Sequence, residues 1–124
     1  MTIHESAEMY LETIYLLSKR LSSVRSIDVC EEMGYSKPSV SRAVGLLKKG
    51  DFITVDKNGF ITLTQNGEAV AKKIYNRHTV LKELLISFGV DAATASADAC
   101  KMEHAISDTT YEAIKNYIKN KSKS

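Results

Sequence analysis

Gly34-Tyr35-Ser36-Lys37-Pro38-Ser39-Val40-Ser41-Arg42 is the stretch that decides how this chain folds. Gly34-Tyr35 interrupts a short helical segment, Ser26 to Met33, whose apolar face is Ile27, Val29, Cys30 and Met33. Ser36 then reads as an N-cap, and Pro38 falls in the first turn of a new helix, where a missing N–H costs no hydrogen bond. That helix runs to about Lys49, with Val40, Val44, Leu46 and Leu47 inward, and Gly50 closes it. Two helices joined by so short a turn form a unit in which one helix braces another lying in the DNA major groove.

Upstream, Met9, Leu11, Ile14, Tyr15, Leu17 and Leu21 recur at helical spacing, which predicts a helix over 6–20 with Ser6 as its cap. Downstream the period changes. Phe52, Ile53 and Val55, then Phe60, Ile61 and Leu63, flank Asp56-Lys57-Asn58-Gly59. Asn-Gly between two β-rich runs predicts a hairpin, because both residues tolerate positive φ. Three helices and a hairpin within about sixty residues make a winged helix-turn-helix.

Thr64 then caps a long helix over 65–87, ended by Gly89. A fifth helix covers 92–105. Ser107-Asp108 opens the last, with Tyr111, Ile114, Tyr117 and Ile118 on one stripe. Lys119 to Ser124 reads as a frayed basic end. The fold class is mainly α: a winged domain over 1–64, then an all-helical domain over 65–124.

The 124 residues suit one ordinary domain, or a small domain with a helical extension, and 44% hydrophobic with 26% charged residues is a globular balance. A net charge of +2 announces no nucleic-acid partner by itself. Its distribution says more, since Lys37, Arg42, Lys48, Lys49 and Lys57 crowd the middle third. Met1 to Ser6 lacks a secretory pattern and no apolar run reaches membrane-spanning length, so the expectation is a cytoplasmic protein with no membrane partner. Cys30 and Cys100 then read as reduced thiols.

The exposed start of the second helix-turn-helix helix offers Lys37, Ser39, Ser41 and Arg42 beside Pro38 and the capping Ser36. A helix N-terminus favours phosphate through its N–H groups and partial positive charge. Arg42 can pair bidentately with guanine, Ser36 and Ser39 suit phosphate, and Lys57 at the hairpin tip suits backbone or minor groove. Each residue singly is an ordinary solvated side chain; the set together with a hairpin points to duplex DNA. A winged helix that binds another protein is the competing reading.

Cys100, Glu103 and His104 stand at i, i+3 and i+4 of the predicted fifth helix and project from one face. A thiolate, a carboxylate and an imidazole make a half-shell for a divalent transition metal. Singly they are a buried thiol, a surface acid and a capping imidazole. His78 lies on the long helix, and Met9 and Glu12 lie at i and i+3 on the first. Spacing alone does not bring those helices together. No Gly-rich phosphate loop, nucleophile elbow or His-Glu-x-x-His pattern is present, so an enzyme is not expected.

The order of elements, with Glu8-Met9-Tyr10-Leu11-Glu12-Thr13-Ile14-Tyr15, Ser36-Lys37-Pro38-Ser39-Val40-Ser41, Arg77-His78 and Ala99-Cys100-Lys101-Met102-Glu103-His104-Ala105-Ile106-Ser107-Asp108, resembles the diphtheria toxin repressor and manganese transport regulator family. The resemblance spans nearly the whole chain. It implies a homodimeric repressor whose second domain dimerises and binds metal, and which grips a palindromic operator when loaded. Its recognition helices would then be spaced by about one duplex turn, ~34–36 Å. Met9, Cys100, Glu103 and His104 match the primary site of the iron-responsive branch. Glu12 and His78 match ligands of the manganese branch, where carboxylates replace Met9 and Cys100.

The chain is thus a hybrid, expected to take Fe²⁺ or Mn²⁺, with thiolate and thioether leaning toward Fe²⁺. Lys82 and Ser96 occupy positions where the iron branch builds an ancillary site, so that site is not expected in the same form. Glu12, His78 and Glu103 remain candidates for a second ion. No counterpart of the SH3-like domain of longer members is expected. The rival is a winged-helix regulator that works without metal.

Overall fold

A capped, glycine-punctuated sequence gives six helices and one hairpin, which the computed structural model describes over residues 5–122. They are α1 (Glu5–Arg20), α2 (Ser26–Met33), α3 (Lys37–Lys49), β1 (Ile53–Val55), β2 (Ile61–Leu63), α4 (Gln65–Ser87), α5 (Ala92–Met102) and α6 (Asp108–Ser122). The chain divides into two units, with the division between Lys72 and Lys73 inside α4. Among the described residues, no helix is long and apolar enough to cross a membrane.

In the first unit, Leu11, Ile14 and Leu17 of α1, Val29 of α2, and Val40, Val44 and Leu47 of α3 share one apolar core with Ile53 and Ile61 of the hairpin. Ser36 caps α3 by accepting from the Ser39 N–H at 3.3 Å. Ser6 does not cap α1, because the chain is already helical at Glu5. Two expected core positions face water instead: Leu46 is 66% and Ile27 46% exposed. On α3 the buried arc is Val40, Val44 and Leu47. Leu46 precedes Leu47 by one residue, about 100° around the helix, and so leaves that arc.

The strands pair antiparallel as Ile53↔Leu63, Thr54↔Thr62 and Val55↔Ile61, and Val24 adds an isolated bridge to Ile61. Of Asn58 and Gly59, only Gly59 takes positive φ (83°). The reason is Asp56, whose side chain accepts from the Asn58 and Phe60 N–H groups at 2.9 Å while its carbonyl accepts from Gly59 at 3.0 Å. That pattern is a type I turn followed by a left-handed glycine, another common hairpin closure. At the start of α4, Thr64 Oγ1 accepts from the Gly67 N–H at 3.1 Å. Gly67 packs so closely that a Cβ there would lie 1.9 Å from the Phe52 carbonyl oxygen.

In the second unit Ile74, Leu81, Ala95, Ala99 and Tyr111 are buried. Asp91 caps α5 by accepting from the Thr94 N–H at 2.9 Å. α5 stops at Met102, three residues before the expected end, and the chain leaves it through a tighter turn in which the Ala105 N–H reaches back only three residues to the Met102 carbonyl, at 3.0 Å. Ser107 then caps α6, accepting from Thr110 at 3.2 Å. Of the tail expected to fray, Lys119 to Ser122 is helical within α6, and Lys123 and Ser124 lie outside the described residues.

Candidate metal centre and DNA-facing helix

The first unit carries the helix-turn-helix face. Ser36, Lys37, Pro38, Ser39, Ser41, Arg42 and Lys57 are all exposed. The first six share the opening turns of α3, and Lys57 sits in the β1–β2 turn. α3 contains Lys37, Arg42, Lys48 and Lys49 and no acidic residue, so the positive end of its dipole is not offset within the helix. Besides capping, Ser36 donates its hydroxyl to Ser39 Oγ at 3.0 Å, leaving both hydroxyls at the entrance to α3. The turn before α3 is braced from α1: the Tyr10 and Tyr35 rings meet edge-on, 6.0 Å apart at 62°. Burial raises the Tyr10 phenol above its ordinary pKa, with the Tyr35 and Cys30 charges adding to the effect. At the base of the wing the Arg25 guanidinium lies 4.6 Å from the centre of the Phe60 ring, a cation–π contact.

Met9 and Glu12 also belong to this unit, three residues apart on α1. The Met9 carbonyl accepts from the Thr13 hydroxyl at 2.8 Å.

The second unit gathers the other four candidates. His78 of α4 places Nδ1 2.9 Å from Glu103 Oε2, and His104 Nε2 is 3.4 Å from Glu103 Oε1. Nδ1 or Nε2 of His78, Sγ of Cys100 and an oxygen of Glu103 can be chosen to lie within 4.8 Å of one another. Glu103 is 0% exposed, an unfavourable place for a carboxylate unless polar or charged groups surround it. Cys100, by contrast, is exposed, and neither cysteine forms a disulfide.

The expected geometry needs one correction. Glu103 is the C-cap of α5, still helical at φ −60° and ψ −26°, and His104 lies beyond it in a turn. The trio is therefore the end of a helix plus the turn that leaves it, not one face of a continuous helix. The donors nevertheless suit a divalent transition metal: imidazole, thiolate and carboxylate, with the carboxylate held in a low-dielectric surround.

Four residues beside this cluster, Ser96, Lys73, Arg77 and Asp108, are not marked as contributors by spacing. Ser96 Oγ stands 3.4 Å from His78 Nε2, so an ancillary-site position is filled by a second partner for the His78 ring. Arg77 and Asp108 pair beside it, and Lys73 reaches Asp108 at 3.1 Å. Arg77 lies 26 residues from Glu103 and 31 from Asp108, separations that carry no local signal.

A winged helix-turn-helix followed by a helical unit with a His-Cys-Glu cluster defines a DNA-binding regulator with a metal-binding module. Residues 2–59 match the iron dependent repressor N-terminal DNA binding domain, and residues 64–124 match the iron dependent repressor metal binding and dimerisation domain. The chain is 34% identical over 116 residues to an HTH-type transcriptional regulator of Methanocaldococcus jannaschii, covering 92% of this chain and 93% of that one. It is 30% identical over 113 residues to the transcriptional regulator MntR of Lysinibacillus sphaericus, covering 91% and 81%. The structure of the manganese regulator SloR superposes with a TM-score of 0.81 at 29% identity, covering 96% of this chain and 55% of that one. The chain thus spans about half the length of SloR. It belongs to the iron-dependent repressor family, the metal-dependent transcriptional repressors related to MntR and the diphtheria toxin repressor.

Proposed function

We propose that this chain is a cytoplasmic repressor that binds a palindromic operator as a homodimer when loaded with a divalent metal, and so controls metal homeostasis. The observation that carries the reading is the meeting of His78, Cys100 and Glu103 in a chain of this family. His78, Cys100, Glu103 and His104 would hold the ion from the second unit, and on the family resemblance Met9 and Glu12 of α1 belong to the same ligand set. A bound divalent cation supplies a concentrated positive charge that makes it favourable for a thiolate and carboxylates to converge. The thiolate of Cys100 and thioether of Met9 favour Fe²⁺ over Mn²⁺, because softer donors suit the later metal.

The domain roles follow from the same reading. Residues 1–64 grip DNA, with Arg42 reading a base, Ser41 and Pro38 lying along the groove, and Ser36, Ser39, Lys37 and Lys57 setting register on phosphates. Residues 65–124 bind metal and dimerise. Ile86, Phe88 and Tyr117, 44%, 67% and 53% exposed, are large apolar groups of the kind a second copy covers. Because the metal-loaded form binds DNA better, thermodynamic linkage requires DNA to tighten metal binding by the same factor.

Fluorescence anisotropy with a palindromic fragment from the chain's own promoter region tests the reading, with and without Fe²⁺ or Mn²⁺. Equal affinity in both cases removes the metal switch and leaves the DNA reading. Elemental analysis of anaerobically purified protein, followed by titration of each metal, decides between iron and manganese.

A further inference from the structure

Arg77 is 6% exposed. A guanidinium cannot give up its ionic charge, so burial is costly unless bonds replace the lost water. Among the described residues, its hydrogen bonds run forward to the segment that carries two candidate ligands. Nη1 donates to the carbonyl oxygens of Glu103 at 3.2 Å and Ile106 at 2.8 Å, and Nη2 donates to the Asp108 carboxylate. The guanidinium carbon lies 5.3 Å from the centre of the Tyr111 ring. Lys73, one turn earlier on α4, reaches the same Asp108 oxygen at 3.1 Å.

Two features turn this from an anchor into a device. The end of a helix leaves carbonyls with no intrahelical partner, and Arg77 takes two carbonyls across the turn where α5 gives out. The next residue along α4 is His78, whose Nδ1 meets the Glu103 carboxylate at 2.9 Å. Consecutive residues of one helix therefore hold Glu103 twice, Arg77 by its main chain and His78 by its side chain.

We infer that Arg77 is a positioning residue for the metal centre, fixing the backbone of the Glu103–His104 turn so that its donors stand at ligating distance before a cation arrives. The inference rests on the metal-binding role proposed above for His78, Cys100 and Glu103. Ordering cost met during folding is not charged to binding, which is how such preorganisation raises affinity.

Charge and position predict opposite signs here. A fixed positive charge beside a cation site repels the cation, so removing it would tighten binding if charge were the whole effect. Loss of the clamp weakens binding instead.

The test is calorimetric titration of Mn²⁺ into the metal-free full chain, with helicity of each variant checked by circular dichroism. Arg77→Met is expected to raise the Mn²⁺ Kd by at least about tenfold, the scale of losing a ligand-orienting group. Arg77→Lys is expected to recover part of that loss, since an ammonium keeps the charge but not the fork. Asp108→Asn, which loosens one arm of the clamp at an exposed position, is expected to raise Kd several-fold. Variants that stay helical and bind Mn²⁺ as tightly as wild type, or more tightly, overturn the inference while leaving the metal site standing. If Arg77→Met does not fold, Arg77→Lys and Asp108→Asn decide by the same criterion. Failure of the wild-type chain to bind Mn²⁺ or Fe²⁺ overturns the metal-site reading, and the positioning role with it.

Discussion

His78 Nδ1 lies 2.9 Å from Glu103 Oε2, joining the middle of α4 to a carboxylate that has no exposure to solvent. Proton and metal compete for such a pair, because a ligating imidazole and carboxylate must both be deprotonated.

Replacing either member is therefore expected to reduce metal uptake. His78→Ala and Glu103→Gln should each weaken Mn²⁺ or Fe²⁺ binding by at least about tenfold, since even groups that only orient a ligand contribute on that scale. Equilibrium dialysis with elemental analysis reads the loss. Uptake equal to wild type in both variants would remove these residues from the site.

Metal should also stabilise the folded chain. A ligand present at one hundred times its Kd adds about 2.7 kcal/mol when it binds only the native state. A thermal melt with added Mn²⁺ should shift upward in wild type and by at most about half as much in Glu103→Gln, whose tenfold weaker binding leaves about 1.4 kcal/mol at the same metal concentration.

The Asp108 carboxyl is held below its ordinary value of 3.8 by the hydrogen bond and charge of Lys73, and then by those of Arg77. A depressed carboxylate pKa means that its stabilisation is present above 3.8 and is lost as pH falls through the lower folded value. Melting temperature followed downward from about pH 5 should fall less steeply in Asp108→Asn than in wild type, through this linkage. Parallel curves would show that the pair does not couple to folding.

Two glycines should respond to alanine with opposite signs. Gly45 lies within α3, and a methyl group added there would meet nothing within 4 Å, so Gly45→Ala should stabilise by about 0.5–1 kcal/mol through backbone entropy. Gly67→Ala forces a Cβ to 1.9 Å from the Phe52 carbonyl oxygen. It should destabilise by about 1–3 kcal/mol, the usual cost of overpacking. Urea unfolding of the two variants checks both directions.

On DNA, Arg42→Ala should cost about 1–3 kcal/mol and relax preference at one base position, whereas Lys57→Ala should weaken all sequences alike and reduce the salt slope by about one unit. Binding isotherms at several salt concentrations separate the two. A slope unchanged by Lys57→Ala would take the wing tip off the phosphate backbone.

Local chemistry was the legible part of this sequence. Ser36 and Thr64 announce helix starts because a hydroxyl satisfies a particular N–H three residues on, and both do so. The hairpin was legible from Asn58-Gly59, yet its turn type was not, because the Asp56 side chain overrides the dipeptide's own preference. Leu46 and Ile27 show the limit of periodicity: a hydrophobic residue adjacent to the buried arc cannot be told from one within it. Spacing picks out Cys100, Glu103 and His104, but it does not show that α5 ends first, since the tight turn from Ala105 back to Met102 that follows carries no hydrophobic period. The contribution of Arg77 is visible only after the fold brings α4 to residues 103–108.

The early end of α5 has a consequence for how occupancy would be sensed. A helix is a stiff rod that carries a push at one end to the other, whereas a short irregular turn absorbs displacement where it occurs. With Glu103 and His104 placed after the last full turn, loading should slow amide hydrogen exchange at residues 103–106 beyond the slowing that overall stabilisation gives every amide, whereas Ala92–Ala99 should gain only that shared part, so the message stays in the elbow instead of travelling back down α5.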